Sequence, residues 1–148
     1  LKRSLRPDLL SSADLQRGRK LFQKQCGVCH RLFGEGQTVA PDLTGSGRRN
    51  VDYLLQNIVD PNAVVPADFR ISLIHLVDGR VVTGSVISTT DQTLTVQSRT
   101  ERLFLQRNEI EVVKATSTSL MPEGLLKELD ISEIQDLFGY LMSAGPDR

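Results

Sequence analysis

The sequence predicts an α+β chain in which three helices, drawn from its two ends, are interrupted by a small five-stranded antiparallel β module. Three observations carry this. Apolar residues recur at helical spacing near both ends. Between about residues 69 and 114 the pattern changes to alternation, β-branched residues and tight-turn dipeptides. Both cysteines of the chain fall in one stretch, Cys26-Gly27-Val28-Cys29-His30. A length of 148 residues holds one ordinary domain or two very small ones, and a 39% hydrophobic fraction with 11 glycines excludes wholesale disorder. No apolar run reaches a bilayer span, so no membrane span is expected in this chain. The start, Leu1-Lys2-Arg3-Ser4-Leu5-Arg6-Pro7, has neither Met nor the apolar core of a secretory signal, and reads as a mature product or a domain of a longer polypeptide.

The first helix is predicted from about residue 12 to Gln25. Ser11-x-x-Asp14 resembles a capping box, and Leu15, Gly18 and Phe22, with Leu21 adjoining, mark one face. Gly34, Gly36, Pro41, Gly45 and Gly47 mark an irregular loop. Val51, Leu54, Leu55 and Ile58 then define a second helix, stopped by Pro61. Strands are predicted near 70–77, 81–89, 93–98, 102–106 and 109–114, with Asp78-Gly79 as a hairpin turn. They form a five-stranded meander, similar in pattern to SH3-like or Sm-like barrels. In the last helix Ser132 is the expected cap, Ile134, Leu137, Phe138 and Leu141 form the apolar face with Tyr140 at its flank, and Gly145-Pro146 ends the element. The boundaries follow: residues 12–64 and 117–145 as a split helical domain, 65–116 as the inserted module.

The cysteine motif carries the chemistry. Two thiols three residues apart on one turn reach the two vinyl groups of a haem, and the adjacent imidazole turns back toward iron, which is the c-type haem attachment signature. A thioredoxin-like redox pair needs a strand–helix–strand setting that is lacking here. A structural zinc site has to use Cys26, Cys29, His30 and His75, and the adjacency of Cys29 and His30 suits a tetrahedral cage poorly.

The first and last helices resemble the crossed terminal pair of small class I cytochromes c, in which a glycine permits close approach; Gly18 and Phe22 are then expected against Leu137 and Tyr140. By that resemblance Pro41-Asp42-Leu43 is the Pro-x-Leu stretch whose proline carbonyl holds the imidazole of His30, fixing its tautomer and plane. Met121, in Ser119-Leu120-Met121-Pro122-Glu123-Gly124, stands where the family places its thioether ligand, 91 positions after His30. It lies in a Pro/Gly loop outside any periodic pattern, whereas Met142 sits inside a helix and reads as packing. His75 is the competing sixth ligand, on an alternating strand where partial burial is the ordinary fate. Arg48, Arg49 and Tyr53 follow the Pro-Asp-Leu loop and are expected donors to haem propionates.

Six separated segments, from Cys-x-x-Cys-His-Arg-Leu-Phe-Gly-Glu-Gly to the final Leu-Phe-Gly-Tyr-Leu, resemble in order the haem-binding domain typical of planctomycetes and verrucomicrobia. Two departures from that pattern are Ala40, where glycine is frequent, and Ser98-Arg99-Thr100-Glu101, which replaces a more usual Asp-Gly turn; neither is a ligand. The resemblance implies a mainly α cytochrome c fold with one covalent haem c, ligated by His30 and Met121. The implied function is an electron carrier rather than an enzyme. Its expected partners are a redox partner protein or a fused dehydrogenase domain, and its expected location is periplasmic or otherwise exported. The competing readings are a haem enzyme or gas sensor with an open or labile sixth position, and a binding module whose β segment recognises a partner.

Charge balances at 18 basic against 18 acidic side chains, so the total gives no reason to expect nucleic acid. The distribution is uneven: the first 50 residues hold ten Lys/Arg against four Asp/Glu. Arg17, Arg19, Lys20, Lys24 and Arg31 crowd the helix and turn around the motif, which predicts either a solvated face or a docking patch for an acidic redox partner.

Overall fold

A computed structural model describes residues 1–145. Pro146, expected to end the last helix together with Gly145, lies outside the described residues. The architecture is α+β and divides into two compact units, one formed by Leu1–Asp60 with the segment from Glu123 onward, the other by Pro61–Pro122. The unit boundaries thus place 61–64 and 117–122 in the second unit, and 1–11 in the first.

The helical unit contains α1 (Pro7–Leu10), α2 (Leu15–Gln25), the short strands β1 (Arg31–Leu32) and β2 (Glu35–Gly36), α3 (Val51–Val59) and α4 (Ile131–Met142). Helix α2 starts three residues later than its pattern suggests. Asp14 is the N-cap, its carboxylate accepting the amides of Gln16 and Arg17 at 2.9 and 3.0 Å. The Ser11 hydroxyl instead donates back to the Asp8 carbonyl at 2.8 Å, closing the end of α1. Helix α4 likewise begins at a different cap. Asp130 accepts the Glu133 amide and Glu133 reaches back to the Asp130 amide, at 2.8 and 2.9 Å, a reciprocal pair that Ser132 cannot form one residue into the helix. Asn50 caps α3.

Helices α2 and α4 pack directly on one another. Gly18 permits it, since a Cβ there would lie 2.1 Å from the Asp136 carbonyl oxygen and 2.7 Å from Tyr140 Cβ. Phe22 and Tyr140 meet with ring centroids 5.8 Å apart. Leu5, Phe22, Leu32, Leu54, Ile58, Ile134, Leu137, Phe138, Tyr140 and Leu141 are buried in this unit.

The second unit is an antiparallel sheet of β3 (Arg70–Leu76), β4 (Val81–Thr89), β5 (Thr93–Gln97), β6 (Arg102–Gln106) and β7 (Ile110–Ser119) in the order β6-β5-β4-β3-β7. The first four strands are a meander. The expected fifth step is corrected, because β7 pairs with β3 and not with β6. β7 also runs five residues past the predicted end, through a Thr/Ser run without apolar alternation; as an edge strand it needs ladder bonds on one side only. Ser72, Ile74 and Leu76 face inward, where Ile74, Leu76, Leu94, Val96 and Leu105 form the core. His75 lies on the opposite face of β3, partly buried, across from Val81 and Val112.

Candidate haem site

Helix α2 delivers the motif directly. Its last turn is closed by the Cys26 and Gly27 amides donating to the Phe22 carbonyl at 2.8 and 2.7 Å. The Cys29 and His30 amides then donate to the Cys26 carbonyl at 3.0 and 2.8 Å, so both thiols and the imidazole lie on one tight turn. The following chain folds back over it. β1 and β2 form a hairpin through Phe33 and Gly34, both at positive φ (52° and 87°), the backbone that a two-residue hairpin loop requires. The amides of Gln37 and Ala40 donate to the carbonyls of Gly27 and Cys29 at 3.0 and 2.9 Å, and that of Leu43 to Arg31 at 2.8 Å. Gly36 is required here twice over: its φ is +97°, and a Cβ would fall 2.1 Å from the His30 carbonyl.

This loop brings Pro41 to the imidazole. His30 Nδ1 lies 2.8 Å from the Pro41 carbonyl oxygen, which can only accept, so Nδ1 carries the proton. Burial lowers the His30 pKa, while the Pro41 bond acts in the opposite direction. The ring is therefore neutral at neutral pH with the Nε2 lone pair available. Burial also pushes the Cys26 thiol up to about 12, aided by Cys29, so it rests protonated.

The other expected site residues divide. Leu43 is partly buried in the same loop. Tyr53 is exposed, its ring over Gly47, and Arg49 is exposed as well. Arg48 is put to another use than a surface donor. It is only 4% exposed, and its guanidinium donates to the carbonyls of Thr44, Leu141 and Ser143 at 3.1, 2.7 and 2.6 Å, while stacking 4.7 Å from the Phe33 ring centroid. A buried cation thus completes the C-terminal end of α4, where unpaired helix carbonyls favour positive charge. Phe33 in turn meets Tyr140 edge to face at 5.8 Å.

The basic cluster is partly neutralised. Arg17 pairs with Asp136, which is 4% exposed and also accepts the Asp14 amide at 2.8 Å, and with the Ser132 hydroxyl. Arg19 pairs with Glu35, held also by Gln23 at 3.2 Å. Lys20, Lys24 and Arg31 form no ion pair among the described residues and remain exposed. Sequence reasoning missed the pairings of Asp136 and Glu35; for Asp136 the one signal was an acidic residue set within the apolar stripe of α4.

Met121 belongs to the second unit, at the end of β7, and is partly buried. Its backbone is anchored within that unit by Ser119, Leu120 and their partners Asn62, Phe69 and Arg99, none of which stands out in the sequence.

The donor set of the first unit fits a haem: two thiols on one turn beside one neutral imidazole whose far nitrogen is oriented by a backbone carbonyl. Among the described residues no three His, Cys, Asp or Glu side chains converge to hold a bare metal ion, so a zinc cage lacks its ligands. No curated protein matches the chain. The family model for cytochrome c matches residues 15–66, the stretch that carries α2, the Cys-x-x-Cys-His turn, the Pro41 loop and α3. That match, joined to this geometry, supports a c-type cytochrome: a haem-binding electron-transfer module of a kind that carries its haem c covalently.

Proposed function

We propose that the chain is a monohaem cytochrome that carries single electrons from a dehydrogenase-type donor to a downstream acceptor, with His30 and Met121 as axial ligands. The observation that carries this is the turn Cys26–His30 with its imidazole held at Nδ1 by Pro41. Bound haem supplies one-electron exchange, and ligation by His and Met favours a high potential suited to taking electrons from a dehydrogenase. The residues do the rest. Cys26 and Cys29 hold the group, His30 presents Nε2 in a fixed ring plane, and the loop of Gln37, Ala40 and Leu43 keeps that turn closed. Were His30 and Met121 both to hold the group, a small ligand would have to displace a side chain to reach it. Arg49 and Tyr53 are the exposed donors for propionates. Covalent attachment favours an exported, periplasmic setting, and a fused or separate redox protein is the partner.

The experiment is a visible spectrum of ferric and ferrous protein, with and without carbon monoxide, on chain expressed with a haem-attachment system. Low-spin spectra unaltered by carbon monoxide are expected, as is one haem mass retained after denaturation and lost in the Cys26→Ser/Cys29→Ser variant. Both thiols recovered free refutes attachment. If Met121→Ala leaves the iron closed and His75→Ala opens it, the ligand assignment is wrong; open iron in the unaltered protein favours the peroxidase-like or gas-sensing reading.

A further inference from the structure

The segment that ends in Met121 is held more firmly than its position after an edge strand requires. β7 pairs with β3 at Ser72↔Ala115 and again at Arg70↔Ser119, so residues 116–118 stand opposite Ile71 alone. Such a bulge re-aims the strand that carries it. Here it is secured, because the Thr116 hydroxyl donates to the Ile71 carbonyl at 2.7 Å. Beyond it three consecutive residues are tied down. The Ser119 amide donates to Asn62 Oδ1 at 2.7 Å, the Leu120 amide to the Phe69 carbonyl at 3.2 Å, and the Met121 amide to Ser119 Oγ at 3.1 Å. The Leu120 carbonyl accepts from Arg99 Nε at 3.0 Å. Arg99 belongs to the turn between β5 and β6, so that hairpin reaches across 21 positions to the residue before Met121.

We infer that the five-stranded unit serves as the bracket of the sixth ligand, with Asn62 and Arg99 as positioning residues that hold the Met121 backbone in a single conformation. This rests on the reading of Met121 as an axial ligand. A thioether is a weak ligand for ferric iron, and its retention depends on how little freedom its loop gains on leaving. A loop tethered on both sides of Leu120 gains little and rebinds before an external ligand arrives. Asn62 carries more of this than Arg99, because its bond is shorter and partly buried, whereas the Arg99 bond is exposed.

The test is stopped-flow displacement of the sixth ligand by imidazole in the ferric, haem-loaded full chain, read at the sulfur-to-iron charge-transfer band. Asn62→Leu is expected to speed displacement about tenfold and Arg99→Ala about threefold. Asn62→Asp keeps the acceptor and is expected to stay near the parent rate. Leu94→Ala loosens the sheet core without touching the tethers, and is expected to leave the rate unchanged while lowering the melting temperature. Arg99→Ala lies at an exposed turn and keeps the test decisive if Asn62→Leu fails to fold. Equal rates in parent, Asn62→Leu and Arg99→Ala, with Met121→Ala opening the iron to carbon monoxide, overturn the inference and leave the ligand reading standing. Leu94→Ala accelerating as much as Asn62→Leu overturns it too, since general loosening would then suffice. A Met121→Ala protein still closed to carbon monoxide overturns the ligand reading and this inference together.

Discussion

Replacing Gly18 by alanine tests the crossing of α2 and α4 with a single methyl group. The new Cβ would sit 2.1 Å from the Asp136 carbonyl oxygen and 2.7 Å from Tyr140 Cβ, and the first obstacle is backbone, which cannot rotate away. Relieving the overlap parts the helices by about 1 Å, and a gap of that size forfeits a quarter to a half of the dispersion contact across the crossing. The same displacement strains the Asp14 amide bond to Asp136, now 2.8 Å. Overpacking of this kind costs about 3 kcal/mol at the upper end, and about 1 kcal/mol returns through the better helix propensity of alanine. The net loss of about 2 kcal/mol lowers the melting temperature by about 8–16 °C for a unit of this size. Thermal unfolding of the haem-loaded protein by far-ultraviolet circular dichroism measures it. Gly45→Ala is the control, because a Cβ there meets nothing within 4 Å. A Gly18→Ala protein that melts with the parent or above it would refute the close crossing.

Arg48→Leu should cost about 3 kcal/mol in urea unfolding, because three carbonyls lose a charged donor; a midpoint unchanged from the parent refutes its role at the end of α4. The Asp14 carboxyl is held below its ordinary value, chiefly by the Arg17 amide, and that of Glu35 chiefly by the Arg19 guanidinium. Groups with lowered folded pKa values stabilise the fold above the ordinary carboxylate range, and lose that contribution as pH falls through the lowered values. Stability is thus expected to decline on acidification, and Arg19→Gln to return Glu35 toward its ordinary titration, as followed by side-chain NMR; an unmoved Glu35 refutes the pairing. Electron transfer to an acidic partner should slow with rising salt and slow further in Lys24→Glu/Arg31→Glu, whereas a flat stopped-flow salt series reduces these cations to a solvated face.

The haem motif and the position of most elements are legible in the sequence because they depend on neighbours within a turn or two. The spacing of Cys26, Cys29 and His30 alone points to haem attachment. The stretch Val51–Ile58 folds as the helix its period announces, and four strands start and stop within a residue of their turn signals. Competition among nearby caps is less legible. Ser11 and Ser132 are good caps by type, yet Asp14 and Asp130 take the role, since each is placed to accept two amides or to exchange bonds with Glu133.

By itself the sequence determined the α+β succession, the apolar faces and the Cys-x-x-Cys-His spacing that points to haem, all of which follow from local spacing and periodicity. Only the tertiary structure decided which distant groups meet. It returned β7 to β3, placed Arg48 on the carbonyls of Leu141 and Ser143, buried Asp136 against Arg17, and carried Arg99 to the residue before Met121. The reason is physical: an isolated Arg or Asp has the same propensity wherever it stands. Its partner is selected by which backbone approaches it when Gly18 lets two helices close and a bulged edge strand turns back toward its neighbour.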